Sequence, residues 1–433
     1  MAEECTMALD LGTTAFKAAA VVRDAVVGKP AVVPCTLRYG SGGIVRCDPE
    51  RYLTWAGRAL RAAARQAQEA GYKVSAIGIS SQAQTFVPMD PIGRPADPAV
   101  VWTDTTGASE VPAVAEAIPN FAAAVGFLEP SPLQFLPKVL HYRRQGGTAS
   151  RFLLLNEWIV YSLTGEAYGD AVNQGMGGFY DIARLCWNEA ALRLAGIPPE
   201  ALAKVHPAGA YAAPLKPRWA RRLGVPEGIP VYSCGNDQSC AAVGAGVRNP
   251  GEVFANFGTA MVVYALKGLP AEPRTGVEIA GVSPLPNRWF LLGVEAEFGN
   301  IVEWLAGLLY PRRGVGYMLE HALERRTDPV PRPRFSIPGG GTVHIEGLRV
   351  GTGRETIVRA LMMHYADRFE GLLYSVLANA PLPRSMPAAG GISRSAAWLR
   401  LLQQHCGIAL EATPMEHPGL IGIARIIRAA QQR

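Results

Sequence analysis

The chain has 433 residues, 49% of them apolar, and its 42 basic and 36 acidic residues give a formal net charge of +6. This length exceeds what one hydrophobic core comfortably serves, so we expect two or three globular lobes. The basic residues are scattered without a long run, which argues against a nucleic-acid partner. No apolar run is long enough to span a bilayer, so we expect no membrane partner.

The seven cysteines and the N-terminal residues bear on the compartment. The cysteines are odd in number and show no CxxC spacing typical of a zinc site or a redox pair. The start, Met1-Ala2-Glu3-Glu4, is acidic where a signal peptide would be basic, and the following apolar stretch is interrupted by Asp10 and Gly12. We therefore expect an unexported, cytoplasmic protein.

The first predicted element is a β-hairpin over residues 6 to 27, with its turn at Asp10-Leu11-Gly12-Thr13-Thr14. Asp48 then predicts an N-cap, and Pro49 the first position, of a long helix. The next predicted strand runs from Val74 to Ser80. Strands that alternate with long helices indicate an α/β fold.

The hairpin turn is echoed in the middle of the chain. The segments Ala8 to Ala15 and Phe254 to Ala260 both have the pattern strand, Gly-Thr turn, strand. One such turn is explained by an ordinary hairpin, but two that open halves of similar size indicate a duplicated domain. We place the boundary near residue 245, which gives domains 1–245 and 246–433.

The second half closes with two predicted helices. Thr352-Gly353-Arg354-Glu355 has the sequence of a capping box, and apolar residues from Ile357 to Leu373 recur at helical spacing. Gly390-Gly391 follows a predicted strand and precedes a helix from about Ser395 to His405, which lets backbone amides approach a ligand. The Pro/Gly-rich stretch Pro329 to Gly341 is predicted to be a loop.

These glycine turns are candidate phosphate sites. Phosphoryl transfer needs amide groups and a metal ion around the phosphates, and often a carboxylate that accepts a hydroxyl proton. The turn from Asp10 to Thr14 supplies backbone N–H groups, two hydroxyls and a carboxylate able to bind Mg²⁺. Gly258-Thr259 supplies a second cradle and Gly390-Gly391 a third glycine element. Together they indicate a site for nucleotide phosphates.

Asp237 is the candidate general base. In Gly235-Asn236-Asp237-Gln238 it follows an apolar strand and precedes small residues that permit tight helix packing. It also lies where the two predicted halves meet. Helix N-capping is the competing interpretation, because many aspartates perform that role.

This ordered series of motifs resembles the FGGY family of carbohydrate kinases, and the match runs essentially from end to end. The motifs that carry the resemblance are Asp10-Leu11-Gly12-Thr13-Thr14, Ile77-Gly78-Ile79-Ser80-Ser81-Gln82, Val101-Trp102-Thr103-Asp104, Leu163-Thr164-Gly165, Gly235-Asn236-Asp237-Gln238, Phe257-Gly258-Thr259-Ala260 and Ala389-Gly390-Gly391-Ile392-Ser393. The resemblance implies two actin-like, ribonuclease-H-like α/β domains with a catalytic cleft between them. It also implies transfer of the γ-phosphoryl group of ATP to a sugar hydroxyl, with Mg²⁺ as cofactor.

The resemblance further implies roles for individual residues. Asp237 would be the catalytic base, and Asp10 and Asp237 would lie at the metal. The implied nucleotide contacts are Gly12, Thr13, Thr14, Gly258, Thr259, Gly299, Glu303, Gly390, Gly391 and Ser395. The implied substrate residues are Gln82, Gln84, Trp102, Gln238 and, as support, Asp104.

Departures from the family pattern leave the substrate open. Xylulokinases commonly carry Gln-Met-His-Gly, and glycerol kinases Gln-Arg-Glu-Thr, where this chain has Gln82-Ala83-Gln84-Thr85. Ala83 lacks the guanidinium that would grip glycerol, whereas Gln84 can donate and accept hydrogen bonds as a ketose or polyol requires. A longer family segment is replaced here by residues 337–343, which leaves cleft closure and assembly open, with a homodimer as a candidate.

Overall similarity to xylulokinase-like members makes a ketopentose such as D-xylulose the leading substrate. Ribulose, sedoheptulose, erythritol-type polyols and gluconate are the alternatives within kinases. A non-catalytic nucleotide-binding sensor on the same fold is the alternative from another class, and a phosphatase or ATPase of the superfamily is a third. Release of ADP that depends on an added sugar would separate a kinase from both.

Overall fold

A computed structural model describes residues 3–324, 333–378 and 380–432. Each half of the chain builds one large sheet with helices around it. The strands of the first half are β1 (Glu4–Leu11), β2 (Ala15–Val22), β3 (Ala25–Val26), β4 (Ala31–Pro34), β5 (Arg38–Tyr39), β6 (Val45–Cys47), β7 (Lys73–Ser81), β8 (Phe86–Met89), β9 (Ala99–Val100), β10 (Arg151–Leu154), β11 (Tyr168–Asp170), β12 (Tyr180–Asp181), β13 (Cys186–Trp187), β14 (Lys204–His206), β15 (Tyr211–Pro214) and β16 (Pro230–Asn236). Its helices are α1 (Pro49–Glu69), α2 (Val111–Ala117), α3 (Phe121–Val125), α4 (Phe135–Arg144), α5 (Leu155–Thr164), α6 (Ala171–Gln174), α7 (Glu189–Ala195), α8 (Pro217–Leu223) and α9 (Asp237–Gly244).

The second half follows the same plan with fewer elements. Its strands are β17 (Val253–Phe257), β18 (Met261–Lys267), β19 (Glu278–Val282), β20 (Trp289–Glu295), β21 (Arg334–Gly339), β22 (Thr342–Glu346), β23 (Ser385–Ala389) and β24 (Ala409–Ala412). Its helices are α10 (Gly299–Leu309), α11 (Gly314–Glu324), α12 (Arg354–Leu377), α13 (Ala396–Cys406) and α14 (Pro418–Gln431).

The two large sheets share one strand order. The first runs β15-β16-β7-β1-β2-β3, with β4 also on β2, and the second runs β19-β20-β18-β17-β23-β24. In each, an antiparallel hairpin (β1–β2 or β17–β18) continues sideways into two parallel strands (β7 and β16, or β23 and β24). This repeated order confirms the duplicated α/β fold that the two Gly-Thr turns predicted.

Several predicted elements occur at the expected residues. The side chain of Asp48 caps α1 by accepting a hydrogen bond of 2.9 Å from the Glu50 N–H. The strand β7 covers Lys73–Ser81. Ser395 caps α13, and its hydroxyl accepts from the Trp398 N–H at 3.2 Å. These predictions are confirmed.

The predicted capping box at the start of α12 is wrong. Gly353 occupies the N-cap position, and no side chain caps the helix. The Thr352 hydroxyl instead accepts from the Arg349 N–H at 3.0 Å, within the preceding turn. The Glu355 carboxylate accepts from the Arg354 guanidinium at 3.2 Å. Both capping groups are therefore engaged by closer partners.

The predicted loop from Pro329 to Gly341 is also wrong where the structure describes it. Residues 334–339 form β21, which pairs with β22 across a turn in which Gly340 and Gly341 have φ of 65° and 73°. Phe335 and Ile337 pack against the core of the second half. Alternation of inward and outward side chains decides the structure here, despite the proline and glycine content. Residues 329–332 lie outside the described residues.

The interior includes a core at the junction of the two halves, besides a core within each. The last helix, α14, packs on the sheet of the first half, so that a Cβ on Gly78 would lie only 2.4 Å from a methyl group of Ile423. Arg425 of α14 also pairs with Asp24 at 2.9 Å. The boundary at residue 245 stays a prediction. Although α14 belongs to the second half of the chain, it packs against the first half.

Two glycines bring α14 into backbone contact with α9. A Cβ on Gly422 would lie 1.8 Å from the Cys240 carbonyl oxygen, and one on Gly244 would lie 1.7 Å from that of Pro418. These separations are shorter than any real contact, so neither helix can carry a side chain there. Because α9 begins at Asp237, this contact fixes the helix that carries the candidate base.

No helix among the described residues is long and apolar enough to cross a membrane. The seven cysteines are all free thiols. The cytoplasmic location stays a prediction.

We expect Gly422→Ala to destabilise the fold by roughly 1–3 kcal/mol, because the added methyl overpacks the contact between α9 and α14. Urea denaturation would measure this as a lower midpoint at an unchanged slope. Gly419→Ala in the same helix is the matched control, because a Cβ there meets open space. Equal midpoints for the two variants would contradict the role of this contact.

Candidate active site

Three neighbouring parallel strands bring the predicted acidic residues to one edge of the first sheet. Asp10 pairs with Ser80 across β1 and β7, and Asn236 pairs with Ser81 across β16 and β7. Ligands of open α/β sheets bind beyond the carboxyl ends of such strands. Asp10 and Asp237 therefore gather at the edge where a ligand is expected.

The two carboxylates influence each other. Burial raises the pKa of Asp237 to about 6, and the negative charge of Asp10 adds to this effect, against a hydrogen bond of 2.8 Å from the Gln238 N–H. Burial also raises the pKa of Asp10, against a hydrogen bond of 2.9 Å from the Ser80 hydroxyl. A carboxylate with a pKa near 6 is largely ionised at pH 7 and is a competent proton acceptor, as a general base requires.

The competing N-cap interpretation of Asp237 is resolved by its neighbour. Asn236 caps α9, because its side-chain oxygen accepts from the Ser239 N–H at 2.8 Å. Asp237 is the first residue of the helix, where the helix dipole favours a negative charge. Its carboxylate is therefore available for chemistry.

A buried polar network lies behind Asp237. The Asp170 carboxylate accepts from the Gly235 N–H at 3.2 Å and from the Ser233 hydroxyl, and the Asn156 amide donates to Asp170 at 3.3 Å and to Ser233 at 2.9 Å. These bonds fix the end of β16 just before the base. Sequence reasoning missed this network, for which a polar Asn156 inside an apolar run was the available signal.

Thr13 links the first phosphate turn to the predicted substrate residues. Its hydroxyl accepts a hydrogen bond of 2.8 Å from the Trp102 indole and donates to the Gln82 side-chain oxygen. Gly12 makes the turn tight, since a Cβ there would lie 2.8 Å from the Ala15 carbonyl oxygen. The turn and the predicted sugar subsite therefore share one hydrogen-bonded chain.

Gln84 has the features of a binding residue. Its backbone is left-handed, with φ of 69°, which costs a non-glycine residue of order 1–3 kcal/mol and is typical of functional sites. Its side chain is buried, and the amide oxygen has no hydrogen-bond partner within the described residues. A buried, unpaired acceptor is a natural place for a hydroxyl donor of a ligand.

Lys138 holds the two substrate loops together. Its buried ammonium donates to the carbonyl oxygens of Gln84 at 3.1 Å, Val101 at 3.2 Å and Trp102 at 3.2 Å. Burial lowers the pKa of Lys138 to about 7, with the charge of Asp104 opposing the shift. Loss of this side chain would release both loops.

Asp104 supports the loop of Trp102 from behind. Its buried carboxylate accepts from the Val45 N–H at 2.6 Å, from the Thr106 N–H at 3.0 Å and from the Arg46 guanidinium. The predicted supporting role fits this position and stays a prediction.

The second Gly-Thr turn connects to the base through side chains of both halves. Asn256, at the end of β17, donates to the Gln238 side-chain oxygen at 3.1 Å. Gly299, the first residue of α10, lies so close to the turn that its Cβ would be 2.3 Å from the Gly258 carbonyl oxygen, and its N–H donates to the Thr259 carbonyl at 2.8 Å. The predicted residues Gly258, Thr259 and Gly299 therefore form one structural unit.

Gly390 belongs to the same region of the second half. Its φ is 94°, and a Cβ there would lie 2.4 Å from the carbonyl group of Phe257. Only glycine fits such a close approach. Gly391 follows it and is exposed.

Two other predicted nucleotide residues lie differently. Ser395 is buried, and besides capping α13 its hydroxyl donates to the Glu320 carboxylate at 2.7 Å. Glu303 is exposed on α10. Ser395 thus bonds only to residues of the second half in these contacts. Direct contact of Ser395 or Glu303 with the nucleotide stays a prediction.

Lys17 was missed by the sequence reasoning. It lies directly opposite Asp10 in the β1–β2 pair, which places the two side chains on one face of the sheet. It is exposed, and its charge lowers the pKa of Asp10. The alternation of β2 was the available signal, because Lys17 points to the face opposite its buried neighbours Phe16 and Ala18.

Asp10 and Asp237 are the candidate carboxylates for a magnesium ion. The part of the chain that the structure describes contains no group of three or more His, Cys, Asp or Glu side chains placed to hold a metal. An ion at Asp10 and Asp237 would therefore need further ligands from a substrate and water. Mg²⁺ is usually bound in this way, by one or two carboxylates together with phosphate oxygens and waters.

Comparison with known proteins decides the family. Residues 5–244 match the N-terminal domain of the FGGY family of carbohydrate kinases. The chain belongs to this family. The predicted family and activity are confirmed, so the protein is a carbohydrate kinase, and its family implies ATP as the phosphoryl donor.

Similar proteins include several sugar kinases. The chain is 24% identical over 400 residues to a xylulose kinase of Escherichia coli strain K12. This alignment covers 88% of this chain and 81% of that protein. The chain is 27% identical over 436 residues to a xylulose kinase of Streptomyces rubiginosus, covering 95% and 85%. The solved structure of a ligand-bound xylulose kinase from Lactobacillus acidophilus superposes with a TM-score of 0.88 at 17% identity, over 99% of this chain and 90% of that one. The actin-like, ribonuclease-H-like fold is thereby confirmed.

Removal of the Asp10 charge should lower the pKa of Asp237 from about 6 toward its ordinary range. Carbon NMR titration of labelled aspartate carboxyls would measure this in Asp10→Asn without nucleotide or metal, with Asp237→Asn identifying the resonance. Glu303→Gln is the control, because it removes an exposed charge on the other half. An unchanged titration in Asp10→Asn would contradict the coupling of the two carboxylates.

We expect Lys138→Met to lower stability by about 2 kcal/mol, since three buried carbonyl groups lose their donor. Hydrogen exchange of the amides in residues 82–86 and 101–104 should increase at the same time. Lys17→Met removes an exposed lysine whose ammonium donates to no backbone carbonyl among the described residues, and it serves as the control for stability. Unchanged exchange in both loops would contradict the proposed bracing.

Proposed function

We propose that this kinase transfers the γ-phosphoryl group of ATP directly to a hydroxyl of a small sugar, with Asp237 as the general base. The proposal rests on the Asp237 carboxylate, because burial raises its pKa to about 6 and because Asn236, not Asp237, caps α9. Gln238, the residue after the base, also bonds to the strand that leads into the second Gly-Thr turn. This hydrogen bond would tie the proposed proton acceptor to the second proposed phosphate cradle.

The chemical step balances without a covalent enzyme intermediate. Asp237 accepts the proton of the sugar hydroxyl while that oxygen attacks the γ-phosphorus, and the bond from phosphorus to the β-phosphate oxygen breaks to release ADP. Backbone N–H groups of Gly12, Thr259 and Gly390 and the ammonium of Lys17 would position the phosphates. Mg²⁺ held by Asp10 and Asp237 would neutralise charge on the phosphate oxygens. Closure of the two halves would exclude water, which is the competing nucleophile.

The sugar would lie against the first half. The unpaired oxygen of Gln84 would accept a hydrogen bond from a sugar hydroxyl, and the Gln82 side chain and the Trp102 ring would lie beside it. The cations near these loops are engaged, because Lys138 donates to three carbonyl groups and Arg46 pairs with Asp104. A neutral sugar therefore suits the subsite better than an aldonate, whose carboxylate would meet no free cation among the residues described there.

A ketopentose such as D-xylulose is the proposed substrate. Its support is the similarity to proteins named xylulose kinase over most of their length. A relative named glycerol kinase is 28% identical over 80% of this chain, but Ala83 provides no guanidinium to grip glycerol. Ribulose, sedoheptulose and erythritol are neutral alternatives, and gluconate is disfavoured because Lys138 and Arg46, the cations described beside these loops, are already engaged.

A coupled assay of ADP release with each of these compounds tests the substrate. We expect release that depends on added sugar, with the highest kcat/KM for D-xylulose and little turnover of glycerol or gluconate. Release without sugar would indicate an ATPase. A higher kcat/KM for gluconate would contradict the neutral subsite.

Asp237→Asn should lower kcat by about 10²- to 10⁴-fold, because it removes the proton acceptor. Affinity for ATP, measured by calorimetry, should change only a few-fold. Asp367→Asn, which changes an exposed aspartate on α12, is the matched control and should retain full activity. Retained turnover in Asp237→Asn would remove Asp237 from the role of base.

A further inference from the structure

A cavity of about 550 Å³ opens on the first half of the molecule, apart from the candidate active site. It lies between the first turns of α1, the loop that precedes β9, the end of α5 and the start of α8. None of the residues assigned above to the nucleotide, the sugar or the metal lines it. Its volume falls in the range of ordinary small-molecule sites.

Positive charge dominates this cavity. Arg94, Lys216, Arg218 and Arg222 line it, and Glu50 is the acid among the lining residues. Within the described ranges, none of these four cations forms an ion pair with a carboxylate. Solvated surface cations would be ordinary one by one, but four of them converge here on a concave surface whose lining includes one carboxylate, that of Glu50.

Aromatic rings form the floor and hold the cations in place. The Arg222 guanidinium lies 4.8 Å from the centre of the Trp219 ring, and the Lys216 ammonium lies 5.9 Å from that of Tyr161. Trp158 and Trp219 are nearly fully buried. These contacts orient the cations and leave their charge uncompensated.

Ser162 adds a polar group to the same lining. Its carbonyl oxygen accepts from the Arg218 guanidinium at 3.3 Å and from the Trp219 indole at 2.9 Å, which fixes α8 against α5. The residue is 5% exposed, and its hydroxyl has no hydrogen-bond partner in the part of the chain that is described. A buried polar group without a partner is uncommon in folded proteins and calls for a ligand or water.

We propose that this cavity binds a small phosphorylated metabolite. Lys216, Arg218 and Arg222 would contact the phosphate group, because arginine forks and lysine ammonium groups are the usual partners of phosphate oxygens. The organic part would lie on the floor formed by Tyr161 and Trp219. This site is distinct from the ATP and sugar sites of the proposed function and does not depend on them.

Isothermal titration calorimetry of the full chain tests the proposal. The probes are D-ribose 5-phosphate and inorganic phosphate, each titrated in the presence of saturating Mg²⁺ and a non-hydrolysable ATP analogue, which occupies the phosphate cradles. We expect saturable one-site binding with a Kd of about 1 mM or tighter, and tighter binding of the sugar phosphate than of phosphate alone. Equal affinities would overturn the proposed contact with the organic part.

Arg218→Ala combined with Arg222→Ala should weaken binding of the sugar phosphate by at least about tenfold, because two charge-assisted contacts are lost. Arg221→Ala in the same helix is the matched control, since Arg221 pairs with Glu227 at 3.5 Å and does not line the cavity. Lys216→Gln replaces the double variant if that variant fails to fold. Binding that is absent up to about 10 mM, that survives these substitutions, or that weakens equally in the control would overturn the proposal.

Discussion

Two carboxylates brought close together by three parallel strands determine the chemistry of this site. Asp10 and Asp237 lie at adjoining strand ends of one sheet, and each is partly removed from water. Burial raises the pKa of both carboxyl groups, and the charge of Asp10 raises that of Asp237 further. A raised pKa favours proton acceptance by Asp237, and a cation beside the pair would reduce the repulsion between the two charges. The proposed base and the proposed metal site would thus both follow from the proximity of these two carboxylates.

Two carboxylates are held in such an unfavourable arrangement only where the surrounding structure fixes their positions. Behind Asp237, the network of Asp170, Asn156 and Ser233 fixes the end of β16, and the glycine contact with α14 fixes α9. The substrate side is held by Lys138, a buried cation whose three donors all go to backbone carbonyl groups. Rigid packing therefore underlies both the acid–base and the sugar-binding parts of the proposed function.

Local backbone demands were predictable from the sequence, and partner choice was not. The turns at Gly12 and Gly390 could be predicted, because a side chain at either position would clash with a backbone carbonyl group. The sequence could not tell whether Asn236 or Asp237 caps α9, because both residue types cap helices well. The bond between Asn156 and Ser233 joins positions 77 residues apart, which no local pattern reveals. The capping box failed for a local reason, because Thr352 bonds to Arg349 and Glu355 to Arg354 instead of to the helix end.

A crystal structure with Mg²⁺, a non-hydrolysable ATP analogue and D-xylulose would show whether Asp237 and the two Gly-Thr turns meet the reactants. We expect a sugar hydroxyl within about 3 Å of the Asp237 carboxylate. We also expect phosphate oxygens on backbone N–H groups of both Gly-Thr turns, at Gly12–Thr14 and at Thr259. A sugar bound with no hydroxyl near Asp237, or phosphates held by only one of the two turns, would contradict the proposed function.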